Sequence, residues 1–353
     1  MKVRKLAALS IAGILAALAM AGCGKDSSIY DENGKVSLRM AQTSAADGAI
    51  GISMEEFAEN VKEESEGRIE ISVFHNGQLG SERDNIEACE LGNLDIAVVN
   101  QSVLANFIPE IAAFDLPYVI EGTEHADKVF MGEIGQDFLK RLDKVELKGL
   151  GIWESGFRNL TNSKKEINSA EDVKGLRIRV MENEIHQKLW KALGADPVPM
   201  AWSEAYTAMQ QGAIDGQENP ATVIDKNNVV EVNKHMAITE HVYSTVYVLM
   251  APKTWNSLTD EDQQVIAECM EEANLAEREL SRKMDAEAVS TLEEQGMKVT
   301  YPDKTELIAE TQSVRDTYGA DYKETLDRIA QQNSKGEGRW RKQSRFLAGC
   351  RVL

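Results

Sequence analysis

The chain has 353 residues, of which 58 are acidic and 39 basic, for a formal net charge of −19. An excess of negative charge this large argues against nucleic acid and against an anionic membrane surface as partners. Four scattered cysteines do not make a disulfide framework, and five histidines (75, 125, 186, 235 and 241) show no metal-ligand spacing. With no Cys-x-x-Cys, His-Glu-x-x-His or glycine-rich phosphate loop either, no metal and no cofactor is expected.

At the N-terminus, Lys2, Arg4 and Lys5 precede an apolar run from Leu6 to Met20. This pattern predicts a secretory signal over residues 1–22, too short and too rich in small residues for a good spanning helix. Ala21-Gly22-Cys23 resembles a bacterial lipobox, with Met20 where leucine is usual, so cleavage and lipidation of Cys23 are expected. Ordinary secretion with cleavage near Ala19 or Ala21 is the alternative. Removing the signal removes three basic residues and no acidic one, so the mature charge becomes 36 − 58 = −22. Residues 23–35 are polar and read as a tether.

From residue 36 onward, strand and helix patterns alternate. Val36–Ala41 and Arg68–Phe74 are short β-rich runs, and Leu94–Val99 is a nearly continuous apolar run suited to a buried parallel strand. Helices are predicted at about Ile50–Ser65 and Ser81–Leu91, the second capped by Ser81 with Asp84 and stopped by Gly92. A second set begins near Phe157, with strands around Arg158–Thr161 and Leu176–Val180 and helices at about Glu184–Leu193 and Ser203–Gln211. Such alternation implies parallel sheets with right-handed crossovers, and the length implies two α/β lobes. Lobe I is placed at 36–155 with a returning segment near 245–258, and lobe II at 156–244. Cys89 and Cys269 fall in apolar-periodic helical stretches and read as core thiols. Thr259 to Gln295 contains no proline or glycine and predicts one long helix of roughly 55 Å. Two helices with a break near Ala276–Glu279 would be the alternative. Residues 296–333 complete a C-terminal helical segment. The last twenty residues, 334–353, carry six cations against the single acid Glu337 and read as a disordered basic tail.

Function is most legible in two segments. Gly175-Leu-Arg-Ile-Arg-Val180 is a strand bearing two arginines, whose forked guanidinium groups suit two-point recognition of a carboxylate. Glu204 to Pro220 reads as an amphipathic helix followed by a turn ending in Asn219, which Pro220 biases towards an extended conformation. Together these segments resemble the signature of the substrate-binding proteins of tripartite ATP-independent periplasmic (TRAP) transporters, the DctP-type receptors for organic acids. The likeness runs from about residue 36 to about residue 330. It implies an α/β, two-lobed periplasmic-binding-protein-like fold with a long helix spanning both lobes, and integral membrane subunits as partners.

The resemblance also implies a site. Arg179 corresponds to the family's principal carboxylate-binding arginine, Arg158 in Gly-Phe-Arg-Asn to a second pocket arginine, and Asn219 to the amide that completes the contact. Trp202 falls where family members place a ring over the ligand, though packing between the lobes is its other reading. Arg177 is expected on the opposite face of the strand, in solvent. Gln42 and Thr43 after the first strand, and Asn100 after the third, lie at strand ends, where open α/β sheets bind ligands. Glu82 could accept from ligand hydroxyls or simply favour a helix dipole. These polar positions, with no second cation evident on lobe I, favour a polyhydroxylated acid such as a hexuronate or aldonate over a dicarboxylate. An α-keto acid or sialic acid is the alternative ligand. An extracytoplasmic enzyme is disfavoured, since no serine elbow, paired-carboxylate pattern or metal triad appears. A receptor serving an ATP-driven importer would share the two lobes and the lipoprotein signal.

Overall fold

The computed structural model describes residues 29–334, so Cys23 and the basic tail beyond Ser334 lie outside the described residues. In chain order the first unit comprises β1 (Val36–Ala41), α1 (Ala49–Glu64), β2 (Ile69–Phe74), α2 (Glu82–Glu90), β3 (Ile96–Asn100) and β4 (Lys148–Phe157). There follow β5 (Asn159–Asn162), β6 (Arg177–Val180), α3 (Glu184–Ala192), β7 (Asp196–Pro199), α4 (Trp202–Gln210), β8 (Gly216–Asn219), α5 (Ala221–Lys226) and β9 (His235–Ala237). The chain then forms β10 (Tyr243–Met250), α6 (Asp260–Glu294) and β11 (Lys298–Thr300) before three closing helices.

Two sheets result, with strand orders β2-β1-β3-β10-β4 and β11-β9-β5-β8-β6-β7. In the first, β1 pairs in parallel with β2 and β3, while β10 runs antiparallel to both β3 and β4. The continuous apolar run of β3 is explained by its place at the centre of the sheet, where all five residues are buried. In the second sheet β6 lies parallel to β7 and β8, and β5 antiparallel to β8 and β9. Both sheets are mixed, because two long strands return through the first and β5 enters the second backwards. Gly216–Asn219, expected as a turn, is the strand β8: its backbone is claimed by β5 on one side and β6 on the other.

The chain passes between the sheets at the end of β4 and again before β10. These two crossings are tied together, Arg158 N donating to Val242 O at 2.9 Å and His241 N to Arg158 O at 3.3 Å. The third connection is α6, a single helix of 35 residues, about 52 Å at 1.5 Å rise per residue. Thr259 caps it, accepting from Asp262 N. Ile266, Cys269, Met270 and Ala273 pack with Met54, Phe57 and Val61 of the first unit, whereas Ala288 and Leu292 pack with Ile224 and Val229 of the second. One helix therefore serves two cores, and the absence of a breaker near 276–279 is what lets it do so. Cys89 and Cys269 are free and buried.

Ser81 and Asp84 form a reciprocal capping box at α2, fixing the start of that helix beside the end of β3. At β4 the pairing with β10 slips, Glu154 facing Thr245 and Gly156 facing Ser244, which leaves Ser155 without an opposite residue. Gly156 sits at φ +110°, a conformation other residues rarely adopt, so this bulge depends on glycine. The bulge turns Ser155 towards the space between the two units.

Candidate functional site

A cavity lies where the C-terminal ends of β1 and β3 face those of β6 and β8. Thr43, Glu82 and Asn100 line it from the first unit, and Arg158, Arg179, Trp202 and Asn219 from the crossing and the second. Seven of the eight ligand positions expected from sequence thus share one cavity. The eighth, Gln42, does not. Neighbours along an extended chain point opposite ways, so with Thr43 on the cavity Gln42 turns from it, and its amide meets Nδ1 of His75 at 2.9 Å.

Arg179 follows Ile178, which is fully buried in the core of the second unit, and only 3 % of Arg179 is exposed. Its Nε and Nη2 both donate to the carbonyl of Met200, at 2.9 and 2.7 Å. The guanidinium carbon lies 5.5 Å from the centre of the Trp202 ring, a cation–π distance. No carboxylate among the described residues forms an ion pair with Arg179. Burial pushes its pKa down to about 10, a measure of how poorly this charge is solvated. It remains a full cation at neutral pH, with Nη1 uncommitted.

Arg158 is a different case. It is 1 % exposed, and Nε and Nη2 grip both oxygens of Glu218 at 2.5 and 3.0 Å. Nη2 also donates to Glu218 O at 2.6 Å, leaving Nη1 to Ser244 Oγ at 3.3 Å. Behind it, His241 Nε2 is 2.9 Å from Glu218 Oε2, and His186 Nδ1 is 3.7 Å from Glu218 Oε1. Burial opposes ionisation of Glu218, but Arg158 and the two imidazoles outweigh it and hold the carboxyl well below its usual range. His186 is raised, the carboxylates of Asp115 and Glu218 overcoming its burial. The expected pocket arginine is therefore already neutralised, and only one corner of its guanidinium is open to the cavity.

The remaining groups divide by how far their hydrogen bonds are spent. Asn100 accepts from Ser102 N at 3.0 Å and donates to Ser244 Oγ at 2.7 Å, which leaves one amide N–H of its side chain without a described partner. Asn219 donates to Gln217 Oε1 at 2.6 Å and keeps its carbonyl oxygen free of described partners. Glu82, at the first turn of α2, accepts the N–H of Asn100 at 3.1 Å; burial raises its pKa. Trp202 lines the cavity and packs against the core around α5, in the second unit rather than between the two. Arg177 is solvated at 43 % side-chain exposure and pairs with Asp215 at 2.8 Å. The opposite-face placement expected for it is incorrect, since residues two apart on a strand share a face. What separates it from Arg179 is position along β6, where it sits at the N-terminal end.

Sequence reading missed Ser44, Ile50, Ser155, Met181, Val223 and Val246, which complete the wall. It also missed the Glu218, His186 and His241 network, although Glu218 stands in the same five-residue segment as Asn219. A carboxylate beside the site residue was the one available signal; the histidines come from distant segments and carry none.

Comparison with known proteins gives a consistent result. Residues 40–321 match the model of DctP, the bacterial extracellular solute-binding protein family 7. A solute-binding protein of Verminephrobacter eiseniae is 36 % identical, over 75 % of this chain and 79 % of that one. The fold is similar to that of the sugar acid binding protein DctPAm of Advenella mimigardefordensis, solved with galactonate. The TM-score is 0.83 and the identity 31 %, covering 85 % of this chain and 98 % of that chain. It is also similar to a TRAP periplasmic solute binding protein of Sulfurospirillum deleyianum with bound succinate, at TM-score 0.80 and 27 % identity, covering 84 % and 98 %. The chain belongs to the DctP family, family 7 of the bacterial extracellular solute-binding proteins.

Proposed function

We propose that this protein is the extracytoplasmic receptor of a TRAP-type transporter and binds a sugar acid, a hexuronate or aldonate, through its carboxylate. It would hand that ligand to integral membrane subunits without changing it chemically. The observation that carries the reading is Arg179: a buried guanidinium with no ion-pair partner among the described residues, facing a cavity. A charge left in that state is costly, and an incoming carboxylate supplies the missing partner. Asn219 and the free corner of Arg158 lie on the same cavity and can hold the same group.

The choice of a hydroxylated monoacid rests on charge. Among the described residues Arg158 and Arg179 are the only cations lining the cavity, and Arg158 is matched by Glu218. A second ligand carboxylate would find Glu82 and hydroxyls rather than another free cation. Hydroxyl groups suit Thr43, Glu82 and Asn219, and the face of Trp202 suits the C–H side of a sugar chain. The galactonate complex of the Advenella protein agrees with this choice, and the succinate complex names its main competitor.

A thermal-shift screen of the soluble domain tests the reading. Sugar acids at a thousandfold excess over Kd should stabilise the fold by about 4 kcal/mol. Stabilisation by neutral sugars or amino acids and by no acid would refute it, and stabilisation by succinate alone would move the ligand to the dicarboxylates. Lipidation of Cys23 is part of the same proposal: labelled fatty acid should enter the wild type and not Cys23→Ala, and labelling of neither would leave a secreted, untethered receptor.

A further inference from the structure

The head of α3 ties the second unit to the first. Asn183 caps that helix, accepting from Ile185 N at 2.8 Å and His186 N at 3.2 Å. Its amide donates across to Ser102 O at 2.9 Å and Asp115 Oδ2 at 2.8 Å. Ile185 packs in the apolar core of the first unit, to which the short helical turn Pro109–Asp115 also belongs. His186 is fully buried between Asp115 of the first unit and Glu218 of β8. It does not line the cavity.

The atoms around the imidazole decide its charge. Nε2 lies 3.2 Å from Ser102 Oγ and 3.4 Å from Asp115 Oδ1. The single proton of Ser102 goes to Asp115 Oδ1 at 2.6 Å, the nearer and charged acceptor, so towards Nε2 this hydroxyl can only accept. Asp115 also takes bonds from Gln101 and Asn183, and so acts as an acceptor throughout. Nδ1 has no hydrogen-bond partner among the described residues and stands 3.7 Å from Glu218 Oε1. Arg158 grips that carboxylate and keeps it ionised, so it too has no proton to offer. Both ring nitrogens therefore face oxygens that only accept. A neutral ring would turn a lone pair on one of them, whereas an imidazolium suits both.

We propose that His186 is a buried imidazolium at neutral pH and a positioning residue for the ligand's carboxylate. It acts through Glu218 and Arg158 without touching the ligand, and the proposal rests on the carboxylate reading of Arg179. The ring shares the carboxylate that Arg158 holds, which leaves more of the arginine's charge for the anion. Loss of its proton would leave Asp115 and Glu218 against Arg158 alone, a surplus of negative charge beside an anion site. The groups facing the ring agree with this assignment. Asp115 and Glu218 raise His186 against its burial, while burial lowers His241, the other imidazole on Glu218.

Nitrogen-15 spectra of the empty, histidine-labelled protein test the charge without any ligand. One ring should be protonated on both nitrogens at pH 7, with its signals absent from His186→Gln and displaced in Ser102→Ala. The second variant supplies the assignment if the first fails to fold. Calorimetry with galactonate and with succinate tests the role. His186→Gln should weaken whichever acid binds by about four- to thirtyfold at pH 7, as for a unit charge removed roughly 8–20 Å away at an effective dielectric of about 20. The wild-type Kd should also rise with pH in step with loss of the ring proton seen in the spectra, and the variant should lack that step. A neutral ring at pH 7, unchanged affinity in His186→Gln, or a pH step common to both proteins would overturn the inference. Binding of neither acid to the wild type would bring down the carboxylate reading and this role with it. A neutral ring in a protein that binds either acid removes His186 alone.

Discussion

Arg179 should be a residue whose loss ruins binding while sparing the fold. The two effects have separate sources in its surroundings. A guanidinium held near pKa 10 by burial, against an ordinary 12.5, is destabilised by about 3 kcal/mol at neutral pH, where it is charged in both folded and unfolded chains. Replacing it with methionine keeps most of the volume and removes that cost. It also removes the two bonds to Met200 O, a loss of roughly 1–3 kcal/mol for the carbonyl left behind. The terms nearly cancel, so the empty Arg179→Met protein should melt within a few degrees of wild type. Binding follows a different sum. A ligand carboxylate closed into the cavity would be left without its cation, at roughly 2–5 kcal/mol for a buried charged pair, or about thirtyfold to several thousandfold in Kd. Arg179→Lys should recover part of this, because an ammonium offers a point charge where a fork is needed. Arg177→Ala is the control for affinity, since neither Arg177 nor its buried partner Asp215 lines the cavity, although loss of this half-buried pair should lower stability. Calorimetry and thermal melts of the variants are the assays. Wild-type affinity in Arg179→Met would refute the site, and a collapse of stability would refute the claim that this cation waits unpaired.

Two further predictions concern the carboxyl groups around the crossings. Glu218→Gln leaves Arg158 charged and buried without its counter-ion, which should destabilise the fold by roughly 3–5 kcal/mol in urea titrations; a loss under 1 kcal/mol would show that the pair does not anchor the crossing. Glu277 is fully buried on α6, with Oε2 accepting from Glu154 N at 2.7 Å and a pKa raised by burial to about 8. Its stabilising contribution is complete below its unfolded value near 4.5 and is lost as pH rises through about 8, on the order of 4–5 kcal/mol in all. Glu277→Gln mimics the neutral form, so it should match wild type near pH 5 and exceed its stability at pH 9. Parallel stability curves for the two proteins over that range would refute the assignment.

The fold was legible where local signals were strong. A capping box, a glycine stop and a run of periodic apolar residues located α2, and a breaker-free stretch with Thr259 at its head located α6. The short strands of the second unit were less so. Gly216–Asn219 has a turn-like composition and becomes a strand because β5 and β6 supply partners from elsewhere in the chain. The site divides in the same way. Residues on the cavity were recognisable from their motifs. A period of two turns Gln42 towards His75 once Thr43 faces the cavity, and it puts Arg177 on the same face as Arg179.

The state of Arg158 could not be read from sequence at all. Its identity and spacing match those of Arg179, and both are buried. What distinguishes them is Glu218, which lies sixty residues further on and reaches Arg158 only because β5 and β8 are paired. That pairing resolves how a strongly acidic chain can recruit an anion. Net charge acts at long range through water and salt, which screen it beyond about 8–10 Å. Inside the cavity the balance is set by individual groups: one arginine is cancelled by a carboxylate that also joins the two crossings, and the other has no counter-ion among the described residues. The first cation holds the junction of the two units, and the second faces the space between them. An anion bound there would touch both sides of the junction, so the affinity gained at Arg179 would favour the arrangement in which the units are closed around it.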